Sequence, residues 1–313
     1  MIEVRGLTKY YGARAAIQDV SFHVAAGEVL GILGPKSAGK TTAMRIIAGY
    51  LPASAGQVRL AGYDVAAQPL EARRCAGYLP QTTPLYHEMT VRAHLDFLAD
   101  LRGVRKRKER VERIMELCRL TPRANQPIRK LPRGTRQWVG LAATLLHDPP
   151  VLILDEPTAG MEPAQIIEAR DLIRELGRTR SILLSTHILS EVEHICERVL
   201  ILHAGRVIAE DSRDQLRLRL KGSESLYVRV AGASPAQVIS ELLAMPGVRD
   251  VQFHGDGYHV AGVLGADLRA ETAARIVGRG WQLLELRPEG VSFEDIFQTL
   301  TPDERPAIPG PVQ

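Results

Sequence analysis

The sequence contains no long hydrophobic run, which argues against a membrane-spanning helix. A helix that crosses a bilayer needs about 20 consecutive apolar residues. The apolar runs Val139–Leu146 and Val151–Leu154 are far shorter and are flanked by charges. The first residues, Met1–Arg5, also lack the basic and then apolar pattern of a secretory signal. We therefore expect a cytoplasmic protein that associates with a membrane only through a partner.

Cysteine is scarce and the charges are nearly balanced. Cys75, Cys118 and Cys196 are odd in number and widely spaced, with no Cys-x-x-Cys pair, so we expect buried or incidental reduced thiols. The 40 Lys and Arg residues against 36 Asp and Glu residues give a net charge of +4. This excess is too small to indicate a nucleic-acid partner, and we expect none.

The length of 313 residues suggests about two domains. Residues 1–216 alternate β-rich runs with helical patterns, which predicts an α/β domain with a buried parallel sheet. Helical spacing over about 85–145 predicts an inserted helical subdomain. Residues 222–300 read strand, helix, strand, strand, helix, strand, the order of a small ferredoxin-like α+β domain. Residues 301–313 hold four prolines without periodicity, and we expect a disordered tail.

A glycine-rich loop between a strand and a helix is the most informative segment. Glu28–Leu33 predicts a short buried strand, and Thr41–Ala48 predicts a helix. Loop N–H groups and the positive end of a helix together cradle phosphate groups. We expect Lys40 to reach the β- and γ-phosphates of a nucleotide and the Thr41 hydroxyl to hold Mg²⁺. The residues expected to bind the nucleotide here are Gly34, Pro35, Lys36, Ser37, Ala38, Gly39, Lys40, Thr41 and Thr42.

Two adjacent carboxylates follow a second buried strand. The apolar run Val151–Leu154 leads directly into Asp155 and Glu156. We expect Asp155 to hold Mg²⁺ through its water shell and Glu156 to polarise an attacking water. The pair therefore predicts hydrolysis of the bound nucleotide, with Glu156 as the main catalytic group.

With these motifs, residues 1 to about 215 resemble the ATP-binding subunits of ABC transporters, which are P-loop NTPases. The resemblance implies that Tyr11, just before Gly12, stacks on adenine, with Tyr10 as the alternative. It implies that Gln81, in Gly77-Tyr78-Leu79-Pro80-Gln81, contacts Mg²⁺ or the water and senses the membrane partner. It also implies that His187 contacts the γ-phosphate. The expected catalytic residues are then Lys40, Glu156 and His187, and the expected metal-binding residues are Thr41, Gln81 and Asp155.

The chain departs from the family pattern at three places. Leu131-Pro132-Arg133-Gly134-Thr135 stands where Leu-Ser-Gly-Gly-Gln is usual, a segment that in the family covers ATP held by the opposite subunit. Pro132 removes a hydroxyl and an N–H, and Arg133 adds bulk where backbone would approach phosphate. Lys36-Ser37 replaces Asn-Gly, and Glu162 replaces an aspartate. Either these changes are tolerated, with Arg133 itself supplying positive charge, or the chain covers its partner's nucleotide poorly and works in a heterodimer.

Further segments resemble the ATPase subunits of multidrug and gliding-motility exporters. These are Gly49-Tyr50-Leu51-Pro52, Ala61–Val65, Pro84–Val91 and the ending Ser292–Phe297. They imply permease subunits in the membrane, a homodimer or heterodimer of ATP-binding subunits, and dimer closure over ATP that drives export. The alternative is a regulatory or assembly ATPase with weak or absent hydrolysis, which the altered segment at Pro132 and Arg133 favours.

Overall fold

A computed structural model describes residues 1–212, 215, 225–262 and 268–289. The chain divides into two compact units, Met1–Arg213 and Asp214–Gln313. The ending Ser292–Phe297 and the expected tail over 301–313 lie outside the described residues, as does most of the segment that joins the units. Among the described residues, no helix combines the length and apolar content that crossing a bilayer requires.

The first unit is built of two sheets with helices packed between and around them. Its strands are β1 Ile2–Tyr11, β2 Arg14–Val24, β3 Val29–Leu33, β4 Ala55–Leu60, β5 Tyr63–Asp64, β6 Ala76–Leu79, β7 Val151–Asp155, β8 Ser181–Thr186, β9 Arg198–His203 and β10 Arg206–Ser212. Its helices are α1 Lys40–Ile47, α2 Pro69–Arg74, α3 Val91–Leu101, α4 Arg107–Leu117, α5 Arg133–Leu145, α6 Pro163–Gly177 and α7 Leu189–Ile195. Two short 3₁₀ turns, Thr121–Arg123 and Ile128–Lys130, connect α4 to α5.

The larger sheet has the strand order β10-β9-β3-β8-β7-β6, and only the β9–β10 pair is antiparallel. Every residue of β3, β7 and β8 is buried, as expected for parallel strands covered on both faces. A second, antiparallel sheet has the order β2-β1-β4-β5. One apolar core contains Val4 of β1, Met44 of α1 and Ile32 of β3, so α1 is packed among the strands of both sheets.

Parallel pairing brings several loops to one edge of the larger sheet. Leu33 pairs with Thr186, and Asp155 pairs with Ser185, so the chain leaves β3, β7 and β8 at the same level. Strand β6 runs parallel to β7 and ends beside it at Leu79. In open α/β sheets, ligands bind outside these carboxyl ends of the strands.

The second unit contains β11 Ser225–Ala231, α8 Pro235–Leu243, β12 Val248–His254, β13 Gly257–Gly262, α9 Arg269–Gly278 and β14 Gln282–Glu289. Its antiparallel sheet has the order β12-β13-β11-β14, which is the strand arrangement of a ferredoxin-like domain. Ser234 caps α8 through a reciprocal capping box with Gln237, and Pro235 occupies the first turn. The α/β class with an added small α+β domain is confirmed.

Candidate functional site

The loop between β3 and α1 is held by hydrogen bonds from Lys40, the first residue of α1. Lys40 Nζ donates hydrogen bonds to the carbonyl oxygens of Gly34 at 2.7 Å and Pro35 at 2.9 Å, and its side chain is 5% exposed. Burial lowers the pKa of Lys40, and the carboxylates of Glu156 and Asp155 oppose that shift. Gly39 has a φ of 104°, and a β-carbon there would lie 2.6 Å from the Ala16 carbonyl oxygen. The local backbone therefore requires glycine at this position.

An open cavity of about 730 Å³ lies over this loop. Of the residues predicted to bind nucleotide, those that line it are Tyr11, Lys36, Ser37, Ala38, Gly39, Lys40, Thr41, Thr42 and Gln81, together with Glu156. Gly34, Pro35, Asp155 and His187 are not among its lining residues. Arg14 and Ala16, which the sequence analysis did not single out, do line it. Arg14 pairs with Tyr11 across the β1–β2 hairpin, a placement that is visible only once the hairpin register is known.

Asp155 is fully buried at the end of β7. Its Oδ1 accepts a hydrogen bond of 2.5 Å from the Ser185 hydroxyl, whereas its Oδ2 has no hydrogen-bond partner within the described residues. Burial raises the pKa of Asp155, and the hydroxyls of Ser185 and Thr41 against the carboxyl oppose this. A buried carboxylate oxygen without a partner is costly, so it marks a position where a cation or an ordered water belongs.

Three side chains of the candidate site lie against the Glu156 carboxylate. Its Oε2 accepts a 3.1 Å hydrogen bond from Gln81 Nε2, and its Oε1 lies 3.1 Å from His187 Nδ1. Lys40 Nζ lies 4.0 Å from the same Oε1. The carboxylate thus contacts groups that follow β6 and β8 and the first residue of α1.

The backbone of Glu156 holds an uncommon conformation. Its φ is 48°, in the left-handed region that a non-glycine residue rarely adopts. Its N–H donates to the Ser185 carbonyl and to the Ser185 hydroxyl, each at 3.1 Å. Side chains held in sparsely populated conformations by their surroundings concentrate at functional sites. Here the β8 contacts turn the Glu156 side chain toward the phosphate loop.

Sequence and structure comparisons identify the family to which this site belongs. The ABC transporter family model matches residues 17–159. The chain is 34% identical over 307 residues to the Nod factor export ATP-binding protein I of Rhizobium sp. (strain N33), covering 96% of each protein. This chain is an ATP-binding subunit of the ABC transporter family. It is also 29% identical over 311 residues to the linearmycin resistance ATP-binding protein LnrL of Bacillus subtilis (strain 168), covering 96% of this chain and 98% of LnrL.

Solved ABC structures agree with this assignment. A structure described as an ATP-binding subunit of an ABC transporter aligns with a TM-score of 0.64 and 33% identity, covering 69% of this chain and 92% of the other. A dimeric ATP-binding cassette in a post-hydrolysis state with ADP and Pi aligns with the same TM-score of 0.64 at 22% identity, covering 68% of this chain and 99% of that one, and so shares the fold.

The segment in which the chain departs from the ABC pattern lies at the start of α5. Pro132 is the residue before the helix and offers no side-chain cap. The Arg133 side chain extends across Gly160, where an added β-carbon would lie 2.6 Å from Arg133 Cδ. Within residues 1–212, which are described without a gap, the exposed Arg133 guanidinium has no hydrogen bond or ion pair. Gly134 is packed so closely that a β-carbon would lie 2.3 Å from Gln165 Oε1.

Glu162, another departure from the ABC pattern, has a clear local role. It is the N-cap of α6 and forms a capping box, in which its carboxylate accepts from the Gln165 N–H. In return, Gln165 Oε1 accepts from the Glu162 N–H at 3.2 Å. A glutamate therefore satisfies the helix start here as an aspartate would.

Proposed function

We propose that this chain hydrolyses ATP to power an export-type membrane transporter. The observation that carries the proposal is the Glu156 carboxylate, which contacts Gln81, His187 and Lys40 beside the phosphate-loop cavity. A hydrolytic site needs positive charge at the β/γ-phosphates, a positioned water and a contact to the γ-phosphate. Lys40 supplies the first, Glu156 accepts a proton from the water, and His187 supplies the third.

The phosphate loop is arranged to receive the nucleotide. The Lys40 ammonium donates to two loop carbonyls and lies 4.0 Å from a carboxylate oxygen of Glu156. Phosphate oxygens that enter the cavity offer Lys40 stronger, charge-assisted hydrogen bonds. Tyr11 lines the same cavity and is 52% exposed, and we propose that the ring face away from Lys9, whose Nζ lies 5.6 Å from the ring centroid, stacks on adenine.

The residues also fit the Mg²⁺ ion that accompanies ATP. Asp155 presents a buried Oδ2 without a hydrogen-bond partner in the described structure, and the Thr41 hydroxyl lies against the same carboxyl. Mg²⁺ is commonly held by one or two carboxylates together with substrate phosphates. Asp155, Thr41 and Gln81 would hold the ion, which would neutralise charge on the β- and γ-phosphates. Gln81 would have to leave Glu156 to take this role.

A permease partner is supported by an apolar groove beside the site. This groove of about 490 Å³ is lined by Tyr50, Tyr78, Leu85 and Leu98, among other residues, and lies next to the loop that carries Gln81. The Tyr50 side chain is 63% exposed. Tyrosine is enriched at protein interfaces, because its ring is apolar and its hydroxyl can remain hydrated. We propose that a cytoplasmic helix of a permease docks here and holds the chain on the inner face of the cell membrane.

The proposed mechanism uses two ATP-binding subunits that close over ATP and reopen after hydrolysis. The names of the relatives concern Nod factor export and linearmycin resistance, and they support the export direction. The two subunits are either two copies of this chain or this chain with a second ATP-binding subunit. The heterodimer is favoured if the Arg133 segment covers a partner's nucleotide poorly, and robust cooperative hydrolysis by the purified chain alone would exclude it.

The central test is Glu156→Gln, which keeps the size of the side chain and removes the base. We expect this variant to bind ATP with unchanged affinity and to lose turnover by at least about a hundredfold. Fluorescent ATP titration and phosphate release measure the two effects. Glu175→Gln, on the exposed surface of α6, is the matched control and should hydrolyse ATP at the wild-type rate. Normal turnover by Glu156→Gln would show that this carboxylate is not the base.

A second candidate function is regulation or assembly with little hydrolysis. Pro132 and Arg133 at the start of α5 favour it, because they replace the groups expected to contact a partner's phosphate. Co-purification separates the two functions. Capture of a polytopic membrane protein supports transport, whereas a purely soluble complex supports regulation or assembly.

A further inference from the structure

A buried carboxylate lies behind the candidate site without lining its cavity. Glu191, on α7, is 1% exposed. Its Oε2 accepts a 2.6 Å hydrogen bond from the Thr186 hydroxyl, and its Oε1 accepts a short hydrogen bond from the Thr158 hydroxyl. A nitrogen of the Arg170 guanidinium lies 3.9 Å from the same Oε1. These donors offset the cost of burying the carboxylate, because an unpaired buried charge is costly.

The two threonines that Glu191 joins each stand next to a proposed catalytic residue. Thr186 directly precedes His187, and Thr158 follows Glu156 by two residues. Glu156 and Thr158 lie in one turn, which is closed by a hydrogen bond from the Ala159 N–H to the Glu156 carbonyl. The next turn is closed by a bond from the Met161 N–H to the Thr158 carbonyl, and each bond is 3.1 Å long. Moving either threonine therefore moves its catalytic neighbour.

These contacts form a closed ring. The Glu156 carboxylate contacts His187, and Thr186, which precedes His187, donates to Glu191. Glu191 also accepts from Thr158, which lies on the turn that begins at Glu156. We propose that Glu191 is a positioning residue that keeps the Glu156 carboxylate and the His187 imidazole at hydrogen-bond distance. This inference rests on the proposed ATP hydrolysis, in which Glu156 and His187 act together.

Carboxylate chemistry explains why glutamate suits this position. An ionised carboxylate only accepts hydrogen bonds, so it fixes both threonine hydroxyls as donors toward itself. Charge-assisted bonds of this kind are short and strong. A glutamine of equal size would present one oxygen and one N–H₂ group, and one threonine would lose its acceptor. The hydrogen bonds that hold Lys40 in the phosphate loop, to the Gly34 and Pro35 carbonyls, lie outside the ring, so ATP affinity should depend little on Glu191.

The test uses Glu191→Gln in the full chain, with Glu193→Gln on the same helix as the control. Long-range ¹H–¹⁵N spectra report the hydrogen bond of the His187 ring, and a Glu156→Ala spectrum, in which the carboxylate is absent, defines its broken state. We expect Glu191→Gln to shift the His187 ring signals toward that state. We also expect kcat to fall about tenfold, with the Kd for ATP within about twofold of wild type.

A second pair of variants keeps the test decisive if Glu191→Gln fails to fold. Thr158→Val removes the hydroxyl and should reproduce both the shift of the His187 signals and the fall in kcat. Thr158→Ser retains the hydroxyl and should behave like the wild type. Unchanged His187 signals in Glu191→Gln, or equal impairment of the two Thr158 variants, would overturn the inference. Absence of hydrolysis by the wild-type chain would refute the proposed function instead, while the His187 spectra would still decide the role of Glu191.

Discussion

Burial of an uncharged histidine in the helical segment should make the first unit sensitive to acid. His94 lies on α3, is 1% exposed, and has no hydrogen-bond partner for either ring nitrogen within the described residues. Burial lowers its pKa to about 4. An unfolded histidine takes up a proton below about pH 6.5, so between these values only the unfolded state gains from protonation. Stability is therefore full above about pH 6.5 and falls as the pH is lowered.

The magnitude follows from the difference between the two pKa values. At about pH 5 the unfolded imidazole is protonated and the folded one is mostly neutral, so His94 should lower the free energy of unfolding by about 2 kcal/mol relative to about pH 7.5. His147, whose pKa is likewise lowered to about 4 by burial, adds a similar effect in the wild type. The substitution His94→Phe keeps a ring against Tyr86, whose centroid lies 5.7 Å from that of His94. It should reduce the pH-dependent loss by about 2 kcal/mol.

Urea unfolding at the two pH values measures this difference. The buried Trp138 on α5 reports on the first unit once Trp281 has been replaced by Phe, since the sequence has only these 2 tryptophans. Using one local probe matters because a chain of two units need not unfold in a single step. His87→Gln, at an exposed position, should leave the pH dependence unchanged. An equal pH-dependent loss in His94→Phe and wild type would refute the reasoning.

Three further experiments test the local geometry of the site. Gly39→Ala should lower the free energy of unfolding by about 3 kcal/mol and abolish ATP binding. In Gly12→Ala the added β-carbon meets open space, so this variant should lose about 1 kcal/mol. Urea unfolding measures the two losses of stability, and ATP titration measures binding. Glu162→Ala should cost about 1 kcal/mol through loss of the capping box, and Glu162→Asp should retain it. The double change Pro132→Ser with Arg133→Gly should raise phosphate release by the purified chain about tenfold or more, and an unchanged rate would show that this segment does not limit turnover.

Local sequence was sufficient for the class of fold and for the chemistry of single residues. Buried strands such as Val151–Leu154 were recognisable because a continuous apolar run suits a parallel strand covered on both faces. The phosphate loop was recognisable because glycine, lysine and threonine at fixed spacing are needed to receive phosphates. The strand and helix order of the second unit was also readable from local patterns, and the fold class was confirmed.

Tertiary structure alone determined which of these residues meet. Gln81 and His187 contact Glu156 across 75 and 31 residues of chain, and that contact depends on strand order and register, which are not local properties. The local sequence around Glu191 is that of a short helix and does not distinguish this residue from an exposed one. In the structure, Glu191 is buried and accepts hydrogen bonds from two threonine hydroxyls. Arg14 reaches the cavity only through the hairpin register. The sequence thus determined the chemical groups, and long-range packing decided how they are combined.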